Sequence, residues 1–312
     1  MAGKSKSMGK LQIKNLTWID IIDPDKKDIE YLRKNFNFHP VVLKELVSLT
    51  LRPKVEHYDT YLYMVLHFPI YDPKEKTTLS VEVDFLITKD TLITVRYGKI
   101  QPLSDFWQKC QLEKDYLYFQ NSPALLLNCL LEDLNNFSLR QIDHITKKIN
   151  DVERKVFKIK GTKEESEIVE KILTIRKDIL DFRRTIKPQG TTLKSLELRG
   201  VEFFGKKLRP YFTDIIGGHL RVWDLLENHK ETIESLQAAN DSWLSNRTNL
   251  VMKILTMFAV IVFPLTLLAA IFSMNTKYLP LVGTNYDFWI ILGFMIIGTL
   301  SMLIIFKAKK WL

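Results

Sequence analysis

The chain has 312 residues, of which 46% are hydrophobic and 26% charged, and its formal net charge is +9. This composition is too polar for a carrier that crosses a membrane many times, and the apolar residues near the end of the chain are too concentrated for a soluble enzyme. The positive charge does not predict nucleic-acid binding, because lysines and arginines alternate with acidic residues. Attraction to an anionic inner leaflet explains the charge better, so membrane lipids are expected partners.

The first ten residues, MAGKSKSMGK, predict a flexible basic tail, and the first twenty residues lack the uninterrupted apolar core of a signal peptide. The two cysteines, Cys110 and Cys129, make neither a zinc knuckle nor a disulfide framework, and they fit a reducing cytosol. The sequence contains no phosphate-binding glycine loop, no metalloprotease motif and no nucleophile elbow. We therefore expect neither enzymatic activity nor a cofactor.

Residues 1–122 predict a cytoplasmic domain that mixes helices and strands. A helical pattern covers residues 25–36, and His39-Pro40 opens another helix. Two stretches, 61–71 and 81–97, are rich in Val, Ile, Tyr, Phe and Thr, which favours strands of one sheet. Lys89-Asp90 marks a turn inside the second stretch.

Residues 123–209 predict a cytoplasmic helical hairpin followed by a connection. Apolar residues recur at spacings of three and four on both sides of a break at 160–162, which indicates two long amphipathic helices. Because the break is short, the two helices should run antiparallel. Pro188-Gln189-Gly190 is expected to end the second helix.

Residues 210–253 predict the cytoplasmic part of a long stalk helix that continues into the membrane. Nine residues recur at alternate spacings of four and three: Val222, Leu226, His229, Ile233, Leu236, Asn240, Trp243, Arg247 and Leu250. This pattern is typical of a helix that packs against partner helices. Since the seam includes polar residues where a tight dimer would carry Leu or Ile, a wider assembly explains it equally well. We expect an oligomer.

Two uncharged runs, 254–276 and 288–306, are each long enough to cross roughly 30 Å of hydrocarbon as a helix of about 20 residues. The outer loop 277–287 is too short for a domain, so the runs predict a transmembrane hairpin. Basic residues lie before the first run and in the basic tail 307–312, and the positive-inside rule therefore places both chain ends in the cytoplasm. The predicted location is the cytoplasmic membrane.

Polar residues make the first membrane helix the candidate functional element. Seven residues recur at spacings of three, four or seven and can share one face: Asn249, Met252, Thr256, Phe263, Thr266, Ala270 and Ser273. Considered alone, hydrogen-bonded packing between helices and the lining of a pore explain this face equally well. The second membrane helix has few polar residues and suits an outer, lipid-facing position.

Several segments resemble the CorA family of divalent-cation channels. Residues 245–280, which contain NRTNLVMKILT, FPLTLLAAIF, SMN and KYLP, are similar to the first membrane helix of that family, and FKAKKWL is similar to its basic C-terminus. Residues 36–66, which contain FNFHP and LRPKVEHY, resemble its N-terminal region. The resemblance implies an α+β cytoplasmic domain, a long helical stalk and two C-terminal transmembrane helices, assembled as a homopentamer.

The resemblance also implies which residues line a pore. The family's Gly-Met-Asn signature reads Ser273, Met274 and Asn275 here, and a ring of Asn275 amides would meet a hydrated cation at the outer mouth. Neutral carbonyl oxygens suit Mg²⁺, which sheds its water reluctantly. The implied upper pore, narrow apolar stretch and inner polar ring consist of Thr266, Ala270, Phe263, Leu255, Met252 and Asn249.

A regulatory metal site is the last role that the resemblance implies. Members of the family sense intracellular Mg²⁺ through carboxylates between subunits, and Asp214 falls where such an aspartate lies. An exposed aspartate near a helix start is more often a partner of the helix dipole, so both roles stay open for Asp214.

Two departures from the family pattern leave the transported ion open. Ser273 replaces the first glycine of the signature, and the outer loop reads Leu-Pro-Leu-Val where the family usually has Met-Pro-Glu-Leu. The loop therefore has no net negative charge to concentrate cations. We expect a passive Mg²⁺ channel that also admits Co²⁺ or Ni²⁺. The alternatives are a Zn²⁺ transporter of the same superfamily, with or without proton coupling, and a membrane scaffold that does not conduct.

Overall fold

The computed structural model describes residues 8–13, 15–72, 77–112, 122–156, 162–274, 286–309 and 311. The chain divides into two compact units, Met1–Gln237 and Ala238–Leu312. The first unit contains a sheet with helices, and the second contains the two apolar helical segments.

Among the described residues of the first unit, six strands form one sheet: β1 Met8–Ile13, β2 Leu16–Ile22, β3 Lys54–Tyr58, β4 Tyr61–Asp72, β5 Thr77–Ile87 and β6 Thr91–Arg96. Their order is β1-β2-β6-β5-β4-β3, with β2 and β6 parallel and the other neighbours antiparallel. The predicted strands at 61–71 and 81–97 are confirmed, as is the turn between β5 and β6.

The predicted flexible tail is wrong at its last three residues. Met8, Gly9 and Lys10 pair with Ile21, Asp20 and Ile19 and begin β1. Without β1, the outer edge of β2 would present unpaired backbone groups, so an N-terminal strand that pairs with it is stabilised.

In the described parts of the chain there are eight α-helices: α1 Lys26–Asn35, α2 Pro40–Glu45, α3 Gln101–Leu112, α4 Pro123–Val156, α5 Thr162–Ile186, α6 Gln189–Phe204, α7 Arg209–Phe272 and α8 Asp287–Ala308. The Asp25 side chain caps α1 by accepting hydrogen bonds from the backbone N–H groups of Lys27 and Asp28, at 2.7 and 3.0 Å. The helices predicted after Asp25 and at His39-Pro40 are confirmed.

Two hydrophobic cores lie on opposite faces of the sheet. Side chains alternate along each strand, so Leu62, Met64 and Leu66 of β4 belong to the core that includes α3, α4, α6 and the start of α7. Tyr61, Tyr63 and Val65 point the other way into the core that includes α1 and α2. The first unit is therefore a sheet with helices on both faces.

The hairpin of α4 and α5 is antiparallel, as predicted. Lys148 on α4 contacts Asp178 on α5 at 2.6 Å, and Asp151, further along α4, lies 4.0 Å from the earlier residue Lys171 of α5. Such reversed order occurs only when the helices run in opposite directions.

The expected connection after the hairpin contains a helix that the sequence interpretation missed. Pro188 precedes α6 instead of starting a loop, because a proline at the start of a helix sacrifices no hydrogen bond that the helix could make. Gly205, whose φ of 97° lies in the left-handed region that favours glycine, ends α6. A short 3₁₀ turn, Lys206–Leu208, then leads into α7.

The prediction that the seam of α7 packs against other subunits is wrong for the first half of the seam. Val222, Leu226 and Ile233 are almost fully buried within a single chain. His229 hydrogen-bonds the Thr146 hydroxyl of α4 at 2.8 Å, and Glu227 contacts Arg183 of α5 at 2.6 Å. The repeat of three and four residues therefore packs here against the chain's own hairpin.

Candidate functional site

Two helices in the described part of the chain are long and apolar enough to cross a membrane, judged by length and composition. They are α7, through its C-terminal part, and α8. The most apolar window of each helix is not buried inside the chain, which is the opposite of the core helix of a soluble protein. Both helices coincide with the uncharged runs predicted to span.

The first apolar segment stays helical through Pro264 and ends at Phe272. The backbone N–H of Ser273 donates to the carbonyl of Ala269 at 3.0 Å, and that of Met274 donates to Ile271 at 3.3 Å. These bonds close the last turn, so Ser273 and Met274 follow the helix end directly. Asn275 and most of the predicted outer loop lie outside the described residues.

The implied pore residues that the structure describes share one side of α7 and of the turn that ends it. At about 100° per residue, they fall within an arc of about 120° on the helix surface. All are exposed in the single chain, including Phe263 at 71%, Leu255 at 59% and Met252 at 56%. We call this set the α7 stripe: Asn249, Met252, Leu255, Phe263, Thr266, Ala270 and Ser273.

The opposite side of the same helix is half-buried at a second set of positions: Met257, Ile261, Leu265, Leu268 and Phe272. Their spacing of three and four residues places them about 170° away from the centre of the α7 stripe. The helix therefore has one side that is covered within the chain, and the α7 stripe lies on the side that is left uncovered.

Hydroxyl groups in the α7 stripe and beside it donate hydrogen bonds to backbone carbonyl groups of the helix. Thr266 donates to the carbonyl of Val262 at 2.8 Å, Thr256 to Met252 at 2.8 Å and Ser273 to Ala270 at 3.0 Å. Since each proton is used inside the helix, the lone pairs of each oxygen stay available as acceptors. Such oxygens can receive hydrogen bonds from the water molecules around a cation.

Asp214 lies in the second turn of α7 and is exposed. Among the residues that the structure describes, no group of three or more His, Cys, Asp or Glu side chains could hold a metal ion. A regulatory metal site at Asp214 stays a prediction.

Sequence reasoning missed the half-buried side of α7, although the signal was present. Large apolar residues recur at Met257, Ile261, Leu265, Leu268 and Phe272 with helical spacing. In a segment where almost every residue is apolar, hydrophobic periodicity does not distinguish one side of the helix from another, and only the polar residues mark a side.

A folded unit of helices and strands joined to two apolar helices of membrane-spanning length is the architecture of an integral membrane protein. The chain belongs to the CorA-like Mg²⁺ transporter protein family, whose model matches residues 14–309. The resemblance inferred from the sequence is confirmed.

Individual relatives cover nearly the whole chain. The cobalt/magnesium transport protein CorA of Thermotoga maritima is 27% identical over 297 residues, which is 95% of this chain and 83% of that protein. The complete structure of the CorA magnesium transporter from Methanocaldococcus jannaschii superposes with a TM-score of 0.83 and 23% identity, over 96% of this chain and 92% of that one.

A second structural likeness is to a cytoplasmic domain alone. The cytoplasmic domain of ZntB from Vibrio parahaemolyticus has a TM-score of 0.61 and 18% identity, over 77% of this chain and 90% of that chain. These likenesses confirm the predicted fold class of an α+β domain, a long helix and two C-terminal apolar helices.

Proposed function

We propose that the chain is one subunit of a homopentameric channel that carries Mg²⁺, and also Co²⁺ or Ni²⁺, across the cytoplasmic membrane. The α7 stripe carries this proposal, because seven residues of pore-like chemistry lie on the uncovered side of a membrane-length helix. Names of relatives support the substrate class, since the Thermotoga maritima protein is called a cobalt/magnesium transport protein. Both chain ends would lie in the cytoplasm.

In the proposed pentamer, five α7 stripes face one axis. Asn275 would offer amide oxygens to a hydrated cation at the outer mouth, and the Thr266 hydroxyl would accept hydrogen bonds from its water shell. Phe263, Leu255 and Met252 would form a narrow apolar stretch that gates by excluding water. Inward movement of a divalent ion gains about 4.6 kcal/mol per 100 mV of membrane potential, so no nucleotide is needed.

The proposed regulation uses Mg²⁺ as its own ligand. Asp214 is exposed on α7 outside the apolar segment, so a neighbouring subunit can approach it. A cation held between Asp214 and acidic groups of that neighbour would stabilise a closed assembly when cytoplasmic Mg²⁺ is high. The same ion would then be both transported and regulatory.

The test is Mg²⁺ uptake into dye-loaded liposomes that contain the purified protein, under an imposed membrane potential. We expect uptake that Asn275→Ala alters. Asn246→Ala is the matched control, because Asn246 carries the same side chain but lies before the apolar segment and about 130° from the centre of the α7 stripe. This control should conduct like the wild type.

Competing ions separate the alternatives. Flux of Zn²⁺ without Mg²⁺, Co²⁺ or Ni²⁺ would replace the Mg²⁺ channel with the Zn²⁺ transporter, and dependence of that flux on a pH gradient would establish proton coupling. Absence of flux for every ion, from protein that is folded and inserted, would leave the non-conducting scaffold.

A further inference from the structure

Two carboxyl groups lie buried side by side on the face of the sheet that α1 and α2 cover. Glu82 and Asp84 are two residues apart on β5, so their side chains point to the same face. Glu82 is 2% exposed and Asp84 is fully buried. Neither residue belongs to the proposed ion pathway.

Each carboxyl group uses one oxygen and leaves the other unused. One oxygen of Glu82, Oε2, accepts a hydrogen bond from the backbone N–H of Thr50 at 2.6 Å and lies 3.4 Å from His67 Nε2. Asp84 Oδ2 accepts from the Tyr97 hydroxyl at 3.1 Å. Within the described part of the chain, Glu82 Oε1 and Asp84 Oδ1 are buried and have no hydrogen-bond partner.

The charged and titratable groups around the pair do not neutralise two negative charges. Lys54 of β3 is a nearby cation, but it pairs with Glu45 of α2 at 2.7 Å and with Glu56 at 2.9 Å. Other titratable groups near the pair, among the residues that the structure describes, are Tyr63 and His67 of β4, Tyr97 after β6, and Glu45. His67 Nε2 lies 2.8 Å from the Thr50 carbonyl oxygen, so its N–H donates to that backbone group.

We propose that Glu82 and Asp84 form a proton-binding site that holds one proton between them at neutral pH. Two ionised carboxylates repel each other because they carry the same charge. Since each can only accept hydrogen bonds, neither can satisfy the unused oxygen of the other. One added proton turns an acceptor into a donor, joins the two groups and removes one buried charge.

The electrostatics of the site agree with this geometry. Burial, followed by the adjacent Glu82 charge, raises the pKa of Asp84 well above its usual range. The bound proton belongs to the pair, because strongly interacting carboxyl groups titrate together.

The proton site makes the stability of this unit depend on pH. Because the pKa of Asp84 is raised in the folded state, its stabilising contribution is complete below the ordinary carboxyl pKa and is lost as pH rises through the raised value. Loss of the proton leaves two buried negative charges, one of them on the Glu82 carboxylate that accepts a hydrogen bond from the backbone N–H of Thr50.

Infrared spectroscopy of the full-length protein in detergent tests the site directly. At neutral pH we expect the carbonyl stretch of a buried, protonated carboxylic acid, and its loss when Glu82→Gln and Asp84→Asn are combined. Asp20→Asn is the matched control, since Asp20 is buried on the same sheet but pairs with Arg96 at 2.7 Å. Absence of the band from the wild type, or its survival in the double variant, overturns the proposal.

Thermal unfolding gives a second, independent reading. We expect the wild-type midpoint to fall as pH rises from neutral to alkaline, and the Asp84→Asn midpoint to fall less and to lie higher at alkaline pH by roughly 2–4 °C. A pH dependence that disappears in His67→Gln and persists in Asp84→Asn would assign the titration to His67 and overturn the proposal.

Discussion

Asp20 and Asp84 are buried in the same sheet, but they have opposite partners. Asp20 accepts hydrogen bonds from Arg96 and from the Thr94 hydroxyl, each at 2.7 Å, whereas the nearest carboxyl neighbour of Asp84 is Glu82. A buried carboxylate beside a guanidinium is stable as an ion, and one beside another carboxyl group is stable as an acid. Two buried aspartates of one sheet therefore have opposite electrostatic surroundings.

The same Asp→Asn substitution should therefore lower stability at Asp20 and raise it, at alkaline pH, at Asp84. Asp20→Asn leaves Arg96, which is 2% exposed, as a buried and uncompensated charge, and we expect a loss of about 3 kcal/mol of stability. The measurement is denaturant or thermal unfolding of the full-length protein at neutral pH. Asp241→Asn, at an exposed helical position, is the control and should change little. A loss below about 1 kcal/mol for Asp20→Asn would show that the ion pair is dispensable.

At the level of helices, two glycines of α6 and α7 differ in how much space surrounds them. A Cβ on Gly200 of α6 would lie 2.6 Å from the ring of Phe212, a buried residue of α7. A Cβ on Gly217 of α7 would meet no atom within 4 Å. The first glycine is required by a close contact between helices, and the second is not.

We therefore expect Gly200→Ala to destabilise the protein by about 1–3 kcal/mol through overpacking against Phe212. Gly217→Ala should instead stabilise it by about 0.5–1 kcal/mol, because alanine is the better helix former. Parallel unfolding curves of the two variants measure both effects. Equal shifts of the same sign would contradict the packing of α6 on α7.

If the α7 stripe lines the ion pathway, the same substitution should have different effects at two adjacent residues of α7. Leu255 lies on the stripe and Ile254 lies about 100° away, while their exposures in the single chain are nearly equal, at 59% and 63%. Leu255→Asn should hydrate the proposed apolar stretch and raise ion leak roughly tenfold, which corresponds to about 1.4 kcal/mol off the barrier.

Ile254→Asn is the control for this experiment, because it introduces the same amide outside the stripe. Conductance in planar bilayers, or tracer uptake into liposomes, compares the two variants at equal protein content. Equal leak in both variants would show that the stripe does not face the ion.

The elements that the sequence predicted well are those with a clear hydrophobic period or a strong terminal signal. The strands of β4, β5 and β6, the antiparallel hairpin of α4 and α5 and the two membrane-length helices are of this kind. Helix α6 was missed because Pro188 starts helices and also ends them, and only tertiary packing decides between these uses.

The seam of α7 shows a different limit. A repeat of three and four apolar residues indicates that a helix face is covered, but not by which chain. For Val222, Leu226 and Ile233 the cover is the hairpin of the same chain. The sequence does not reveal that the carboxyl pair is buried, because Glu82 and Asp84 at alternate positions of a strand also fit a face exposed to solvent.

For the whole molecule, the fold class and the family follow from the sequence because the residues that carry them are contiguous. The segments near Ser273 and His39 each form a local motif. The homopentamer and a metal site at Asp214 depend instead on surfaces of different chains, which no local pattern records. They must be tested on the assembled protein.

The assembled protein should gain stability from Mg²⁺ if a cation bridges its subunits at Asp214. A ligand that binds the folded assembly alone stabilises it by about 2.7 kcal/mol at a concentration one hundred times its Kd. Chelation of Mg²⁺ should therefore lower the midpoint of thermal dissociation, measured by light scattering in detergent. Asp214→Asn should lower the midpoint in Mg²⁺ and make it insensitive to chelation.

Asp224→Asn provides the matched control, because Asp224 is also exposed on α7 and lies ten residues further along. Its midpoint should keep the full response to Mg²⁺. If Asp214→Asn and Asp224→Asn respond alike, the negative charge of α7 acts only through general screening, and Asp214 serves as a partner of the helix dipole. A Mg²⁺ response that is lost only in Asp214→Asn would instead connect cytoplasmic Mg²⁺ to contacts between subunits and, through the continuous helix α7, to the residues of the stripe.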